Sequence, residues 1–207
     1  MSRRALRHER VAGVDEAGRG PLAGPVVVAA VILDARRRIE GIADSKLLSE
    51  AQREELAPRI RACALAWSVV VVDTDEIERL NILGATLAGM ERALRALQRT
   101  PRLALIDGNR LPRELPCEAR AIIDGDATEP SIGAASILAK TERDRIMRAL
   151  DAVHPGYGFA RHKGYSTPEH LAALERLGPC AIHRRGFEPV RRLIAPDLFA
   201  SVPVPAT

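Results

Sequence analysis

This sequence predicts an α/β fold, a mixed central β-sheet flanked by helices, and three observations carry the prediction. Strand-like apolar runs come first and then alternate with helical stretches, an ordering that sets helices against a sheet. Two of the helical stretches carry signatures of their own, a capping box at Ser49 and an apolar stripe from Leu83 to Leu97. Three apolar runs end in aspartate, a residue that starts turns and caps helices.

Taken in chain order, Val11–Asp15 and Pro25–Leu33 read as strands joined through a glycine-rich turn, and Trp67–Asp73 as a third. Ser49 followed three residues later by Gln52 predicts a helix over about 50–62, which Pro58 should kink or shorten. Leu83, Leu87, Met90, Leu94 and Leu97 step at helical spacing and line one face of a helix that ends before Pro101. Leu103 to Ile106 and Ala121 to Ile123 are short buried strands, ending in Asp107-Gly108-Asn109 and Asp124-Gly125-Asp126. Ser131 opens a helix through about Leu150, whose small residues Gly133, Ala134, Ala135 and Ser136 permit close packing beside the acidic strand ends. Of Lys140, Arg143 and Arg145 on that helix, at least two are expected on a solvated face. Thr167-Pro168 starts a last clear helix, and Gly178-Pro179 stops it. The proline-rich residues from about Ala195 read as a mobile tail, so the expected organisation is one domain over 1–194, with 151–194 its helical C-terminal part, and a tail over 195–207.

The most informative segment runs from Val14 to Pro25, where Asp15 and Glu16 stand directly before Ala17-Gly18-Arg19-Gly20. Paired carboxylates hold a hard cation such as Mg²⁺ through oxygen and leave coordination positions for water and substrate phosphate. Glycines let the main chain approach a sugar-phosphate chain, because no Cβ intervenes. An isolated Asp-Glu pair is most often an exposed acidic turn. Here further aspartates close neighbouring apolar runs, and ligands of open α/β sheets gather beyond strand ends. Alternation adds a constraint, since adjacent residues on a strand point to opposite faces. If Asp15 points into a site, Glu16 must reach it past a bulge, from the strand end, or through its carbonyl.

Charge distribution fits a polyanion partner. The chain of 207 residues has a formal net charge of +4, which permits nucleic-acid binding without demanding it. Residues 1–14 carry four arginines against one acid and residues 151–192 seven Lys/Arg against four acids, so the middle of the chain is net acidic. Tyr157, Phe159, Tyr165 and Phe187 fall within the same C-terminal stretch as Arg161, His162, Lys163, Arg184 and Arg185. Aromatic faces among cations suit stacking beside phosphate contacts, although Phe159 and Phe187 read as core. His183 suits a phosphate contact and packing equally. Cys63, Cys117 and Cys180 are odd in number and widely spaced, which supports neither a disulfide framework nor a zinc ribbon. Without a signal segment or a membrane-length apolar run, a cytoplasmic protein with no membrane contact is expected.

The segment Asp15 to Pro25 resembles the signature of bacterial type 2 ribonuclease H. The resemblance continues through Asp44-Ser45-Lys46, Ile106-Asp107-Gly108-Asn109, Gly125-Asp126, Ala134 to Lys140 with Arg143-Asp144-Arg145, His162-Lys163-Gly164-Tyr165, and His183-Arg184-Arg185 before Phe187-Glu188-Pro189-Val190. It departs from the family pattern at Gly186, Gly133 and Thr141-Glu142. The resemblance implies a ribonuclease H-like fold with a helical C-terminal extension, and a metal-dependent endoribonuclease. Its substrates would be RNA–DNA hybrids and ribonucleotides embedded in duplex DNA, cut 5′ of the ribonucleotide to leave a 3′-hydroxyl and a 5′-phosphate. That activity belongs to DNA replication and ribonucleotide excision repair. Asp15, Glu16, Asp107 and Asp126 would be catalytic and hold Mg²⁺ or Mn²⁺, as a two-metal site. Gly18, Arg19 and Gly20 would read the 2′-hydroxyl, Tyr165 would stack near the scissile junction, and Lys46, Arg184 and Arg185 would contact substrate. A monomer is expected, and no replication or repair partner is named by the sequence. The rival readings are a DNA-cutting nuclease of another ribonuclease H-like branch and a non-catalytic hybrid-binding module.

Overall fold

The computed structural model describes residues 10–42 and 47–195. The expectations for Lys46 and for the tail beyond Ala195 lie outside the described residues. Five strands, β1 (Val11–Ala17), β2 (Val26–Ile32), β3 (Ala66–Val72), β4 (Leu103–Asp107) and β5 (Glu118–Ile122), form one sheet in the order β3-β2-β1-β4-β5. The first three are antiparallel neighbours, while β4 runs parallel to β1 and β5 parallel to β4, so the sheet is mixed as predicted.

Every residue of β2 is buried, and the pleat sorts them between two cores. Val26, Val28, Ala30 and Ile32 face one layer, formed largely by helix α2 (Thr74–Arg95) through Met90, Ala93 and Leu94. Val27, Ala29 and Val31 face the other, formed by α1 (Glu50–Cys63) and the long helix α4 (Pro130–Val153). At the free edge, β5 presents Glu118 and Arg120 to solvent, charges that discourage pairing with another strand. The run expected over Ala121–Ile123 thus begins three residues earlier, and Ile123 is exposed.

The predicted capping box is present, with Gln52 N–H on Ser49 Oγ at 3.3 Å and Ser49 N–H on Gln52 Oε1 at 2.8 Å. Pro58 does not shorten α1, which continues to Cys63. Pro58 and Glu54, whose carbonyl loses its helical partner, both lie on the exposed side, so water can satisfy that carbonyl. Helix α2 begins well before Leu83, at a cap where Asp73 accepts from Glu76 N–H at 2.8 Å. Asn81 breaks it with φ 58° and ψ 169°, and its side chain recaps the second half through the N–H groups of Leu83 and Gly84. Asp73 is therefore a cap and not a member of the acidic site.

Helix α4 lies directly on β1. A Cβ placed on Gly13 would stand 2.0 Å from the Ser131 carbonyl carbon and 2.2 Å from Ile132 N, so only glycine allows the helix this close. The remaining helices are α3 (Gly125–Thr128), α5 (Phe159–His162), α6 (Pro168–Leu177) and α7 (Glu188–Ile194). Helix α6 has the cap and stop predicted, Thr167 and Gly178. Phe159 is fully buried, and Phe187 packs partly buried against Leu22, Leu174 and Val190. The three cysteines are free and half-buried, less enclosed than small core residues would be.

Candidate active site

Asp15 lies on the α4-facing side of β1, two residues before its end, and Asp107 is the last residue of β4, and the two strands run parallel side by side. Topology thus brings two sequence-distant carboxylates to one sheet end. Asp15 is buried, accepts from the Glu16 N–H at 2.7 Å, and is hydrogen-bonded by the Ser136 side chain from α4. Asp107 accepts from Gly125 N–H at 2.8 Å, which anchors the start of α3 to the end of β4. Asp126 is the next residue and is buried. Asp15, Glu16 and Asp107 open onto one cleft of about 320 Å³ with Ser136, Lys140 and Tyr165 on its walls, and Asp126 is not among the cleft's lining residues.

The pairing of β1 with β2 is regular, with Asp15 opposite Ala29 and Glu16 opposite Val28. No bulge intervenes. Glu16 takes the strand-end route: it starts on the α2 face, where it lines a second hollow with Thr86, Leu87 and Met90, and reaches the cleft round the end of β1.

Negative charge is concentrated here at a cost. Burial raises the Asp15 carboxyl well above its ordinary value, and Glu16 and Asp107 push it further, against hydrogen bonds from Ser136 and Glu16. Burial also raises Glu16, opposed by Arg19, whose Nη1 lies 3.4 Å away. Glu16 Oε2 is buried and has no hydrogen-bond partner among the described residues. A crowded, all-oxygen donor set with an unused acceptor fits a hard divalent cation. Among the described residues no three His, Cys, Asp or Glu side chains converge tightly enough to enclose an ion. The arrangement is an open acidic cleft.

Beside the cleft, the Gly18-Arg19-Gly20 turn rests on two buried arginines. Arg184 was expected at substrate phosphate, but it is fully buried and donates to the carbonyls of Gly18, Arg19 and Gly24 at 2.6–3.0 Å. Its donors are spent on the turn, and burial with the neighbouring Arg143 pushes its pKa down to about 9. Arg143, one of three cations weighed for the solvated face, is likewise fully buried and donates to Ala23, Pro25 and Lys163 carbonyls. Lys140 is a quarter exposed and paired with Asp144 at 2.7 Å, and Arg145 is well exposed on Glu142. Gly18 has φ +101°, and a Cβ there would stand 2.0 Å from Arg143 Nε. Arg185 is exposed and 3.9 Å from Glu78, in a separate hollow beside Asn81. Tyr165 is 43% exposed at the cleft, with Lys140 Nζ and Arg143 Cζ within 6 Å of its ring. Sequence reading missed the Ser136 contact, the scaffold role of both arginines, and Arg53, which lines the cleft. Ser136 alone carried a signal, as a hydroxyl within a run of small apolar residues.

A mixed sheet of this order, with carboxylates at the ends of its adjacent parallel strands β1 and β4, defines a ribonuclease H-like hydrolase. Residues 12–190 match the family described as Ribonuclease HII, and the chain belongs to that family of endoribonucleases. Ribonuclease HII of Chromobacterium violaceum is 60% identical over 186 residues, covering 90% of this chain and 94% of that protein. The Parvibaculum lavamentivorans ribonuclease HII is 58% identical over 188 residues, 91% and 70% of the two chains. Among solved structures, ribonuclease H2 from Pyrococcus horikoshii OT3 superposes with a TM-score of 0.74 at 31% identity, over 89% of this chain and 96% of that one.

Proposed function

We propose that this endoribonuclease hydrolyses the RNA strand of RNA–DNA hybrids and cuts duplex DNA on the 5′ side of an embedded ribonucleotide, leaving a 3′-hydroxyl and a 5′-phosphate. The observation that carries the reading is the open cleft in which Asp15, Glu16 and Asp107 face Gly18 and Tyr165. Asp15, Glu16, Asp107 and Asp126 would hold divalent metal, Mg²⁺ or Mn²⁺. Bound there, such ions supply the Lewis acidity that phosphodiester hydrolysis requires. The chain does the rest. Ser136 and Gly125 N–H orient Asp15 and Asp107. Arg184 engages the Gly18 and Arg19 carbonyls of the glycine turn and Arg143 those of Ala23 and Pro25 just after it, and the exposed side of Arg19 and Gly20 is left for the ribose. The 2′-hydroxyl both donates and accepts hydrogen bonds, so a close main-chain turn is a suitable reader. Tyr165 places its ring against the neighbouring sugar, and Arg185 is the remaining exposed cation of the pair for phosphate. A monomer acting in the cytoplasm completes the reading; no helix among the described residues is long and apolar enough to cross a membrane.

Gly20 tests the specificity step cleanly. A Cβ there meets nothing closer than Tyr165 Cε1 at 3.9 Å, so Gly20→Val is expected to fold normally. Cleavage at one embedded ribonucleotide should fall at least tenfold, with duplex-DNA affinity unchanged. Equal loss of affinity for duplexes with and without the 2′-hydroxyl, at an unaltered cleavage ratio, would assign the turn to general scaffold.

A further inference from the structure

Three histidines lie buried behind Tyr165. His170 on α6 and His183 in the following loop are 0% and 2% exposed, and the His162 ring stacks on His170 at 4.4 Å. His183 is therefore packed inside and does not face phosphate. The hydrogen bonds of this cluster admit one arrangement of protons. The Cys180 backbone N–H can only donate, and it points at His183 Nδ1 at 3.0 Å, so that nitrogen is unprotonated. The His183 proton is then on Nε2, 3.1 Å from His170 Nε2. His170 Nε2 accepts it, which leaves the His170 proton on Nδ1, 2.9 Å from the Tyr165 carbonyl oxygen. A carbonyl can only accept, so both ends of the chain of bonds are fixed by backbone groups. An extra proton on either ring would set two donors face to face, at His170 or at Cys180. Tyr165 is held from its other side too, because its N–H donates to the His162 carbonyl at 2.9 Å. The His162 ring is itself fixed, accepting from Gly164 N–H at 3.2 Å and donating to the Tyr157 carbonyl at 2.8 Å.

We propose that the neutral Cys180–His183–His170 chain is a proton-ordered brace whose function is to position Tyr165 against the ribose. The proposal rests on the reading that Tyr165 faces the sugar. His170 and His183 are positioning residues and do not touch substrate. Their surroundings keep them neutral: burial lowers His170, and burial with the neighbouring His170 pushes His183 down to about 4. The other titratable groups facing the pair are His162, His154, Tyr157, whose ring is 5.1 Å from that of His183, and the Cys180 thiol, 3.1 Å from His183 Nδ1. Glu169, next to His170 in sequence, pairs instead with Arg161.

Two measurements test the brace. Long-range ¹H–¹⁵N correlation on the full chain at pH 7.5 should show His183 and His162 protonated on Nε2 and His170 on Nδ1; any other tautomer, or an imidazolium at His170 or His183, overturns the proposal without any variant. In kinetics, His183→Leu should lower cleavage at a single embedded ribonucleotide about tenfold with duplex-DNA affinity unchanged, and His183→Gln, which keeps a donor and an acceptor, should recover most of it. The His183→Leu effect should vanish in a Tyr165→Ala background. An undiminished effect there overturns the brace while leaving the role of Tyr165 intact. Wild-type cleavage by Tyr165→Ala alone overturns that role instead.

Discussion

At the residue scale, the acidic cleft sets stability against function. Asp15 and Glu16 have raised pKa values, so the folded chain without metal binds their protons more tightly than the unfolded chain does. Their contribution therefore grows as pH falls through the raised values toward the ordinary carboxylate range, and at neutral pH the ionised pair is destabilising. Asp15→Asn should accordingly raise the melting temperature of the metal-free protein at pH 7, while cleavage falls on the order of 100-fold or more. A variant that melts lower, or cleaves normally, would remove Asp15 from this role; calorimetry and turnover in Mg²⁺ read the two halves separately. Arg184 gives the opposite pattern. Arg184→Ala leaves the carbonyls of Gly18, Arg19 and Gly24 without their donor and should cost about 3 kcal/mol or more in denaturant melts. The salt dependence of duplex affinity should not change, whereas Arg185→Ala should flatten log K against log salt by roughly 0.9 if Arg185 meets a phosphate. The carboxylates were legible as residue types at strand ends. The arginines were not, because a charged side chain reads as surface until tertiary contacts show carbonyls converging on it.

At the element scale, the fold was legible where local chemistry decides it and illegible where packing does. The Ser49 box, the Thr167 cap and the Gly178 stop are local signals, and each stands where expected. The break at Asn81 left no such trace, since a lone asparagine inside an apolar periodicity looks like any polar position. Pro58 gave a false signal, because the carbonyl it orphans faces water. The most consequential contact, α4 against β1, depends on Gly13, which spacing alone could not distinguish from an ordinary strand glycine. Gly13→Ala puts a methyl group inside backbone atoms of Ser131 and Ile132, and neither side can yield as a flexible side chain would. We expect a loss of about 3 kcal/mol or more, with cleavage reduced further than stability explains, because Ser136 moves away from Asp15. Near-wild-type melting and turnover would show that α4 adjusts freely and does not set the position of Asp15.

At the scale of the whole molecule, an acidic centre lies within a chain whose C-terminal third is basic, and the turn proposed to read substrate is clamped to that third by Arg184, while Arg143 ties the residues after it to Lys163. The sheet supplies Asp15, Glu16 and Asp107, and the C-terminal part supplies Tyr165, in the loop between α5 and α6, and the histidines behind it; the bonds from Arg184 and Arg143 bind these two parts to one geometry. The order of motifs in sequence anticipated the family, but only the fold shows that Asp15, Glu16, Asp107, Gly18 and Tyr165 line one cleft. In the proposed function this cleft reads a single hydroxyl. Two duplexes identical except for one ribonucleotide, offered in Mg²⁺ with affinity and cleavage position measured on both, test it most directly. Comparable binding is expected, with incision only on the ribonucleotide-bearing strand, at the 5′ side of the ribonucleotide, with 3′-hydroxyl and 5′-phosphate ends. Incision of the all-DNA duplex at a similar rate, or on the 3′ side of the ribonucleotide, would contradict it.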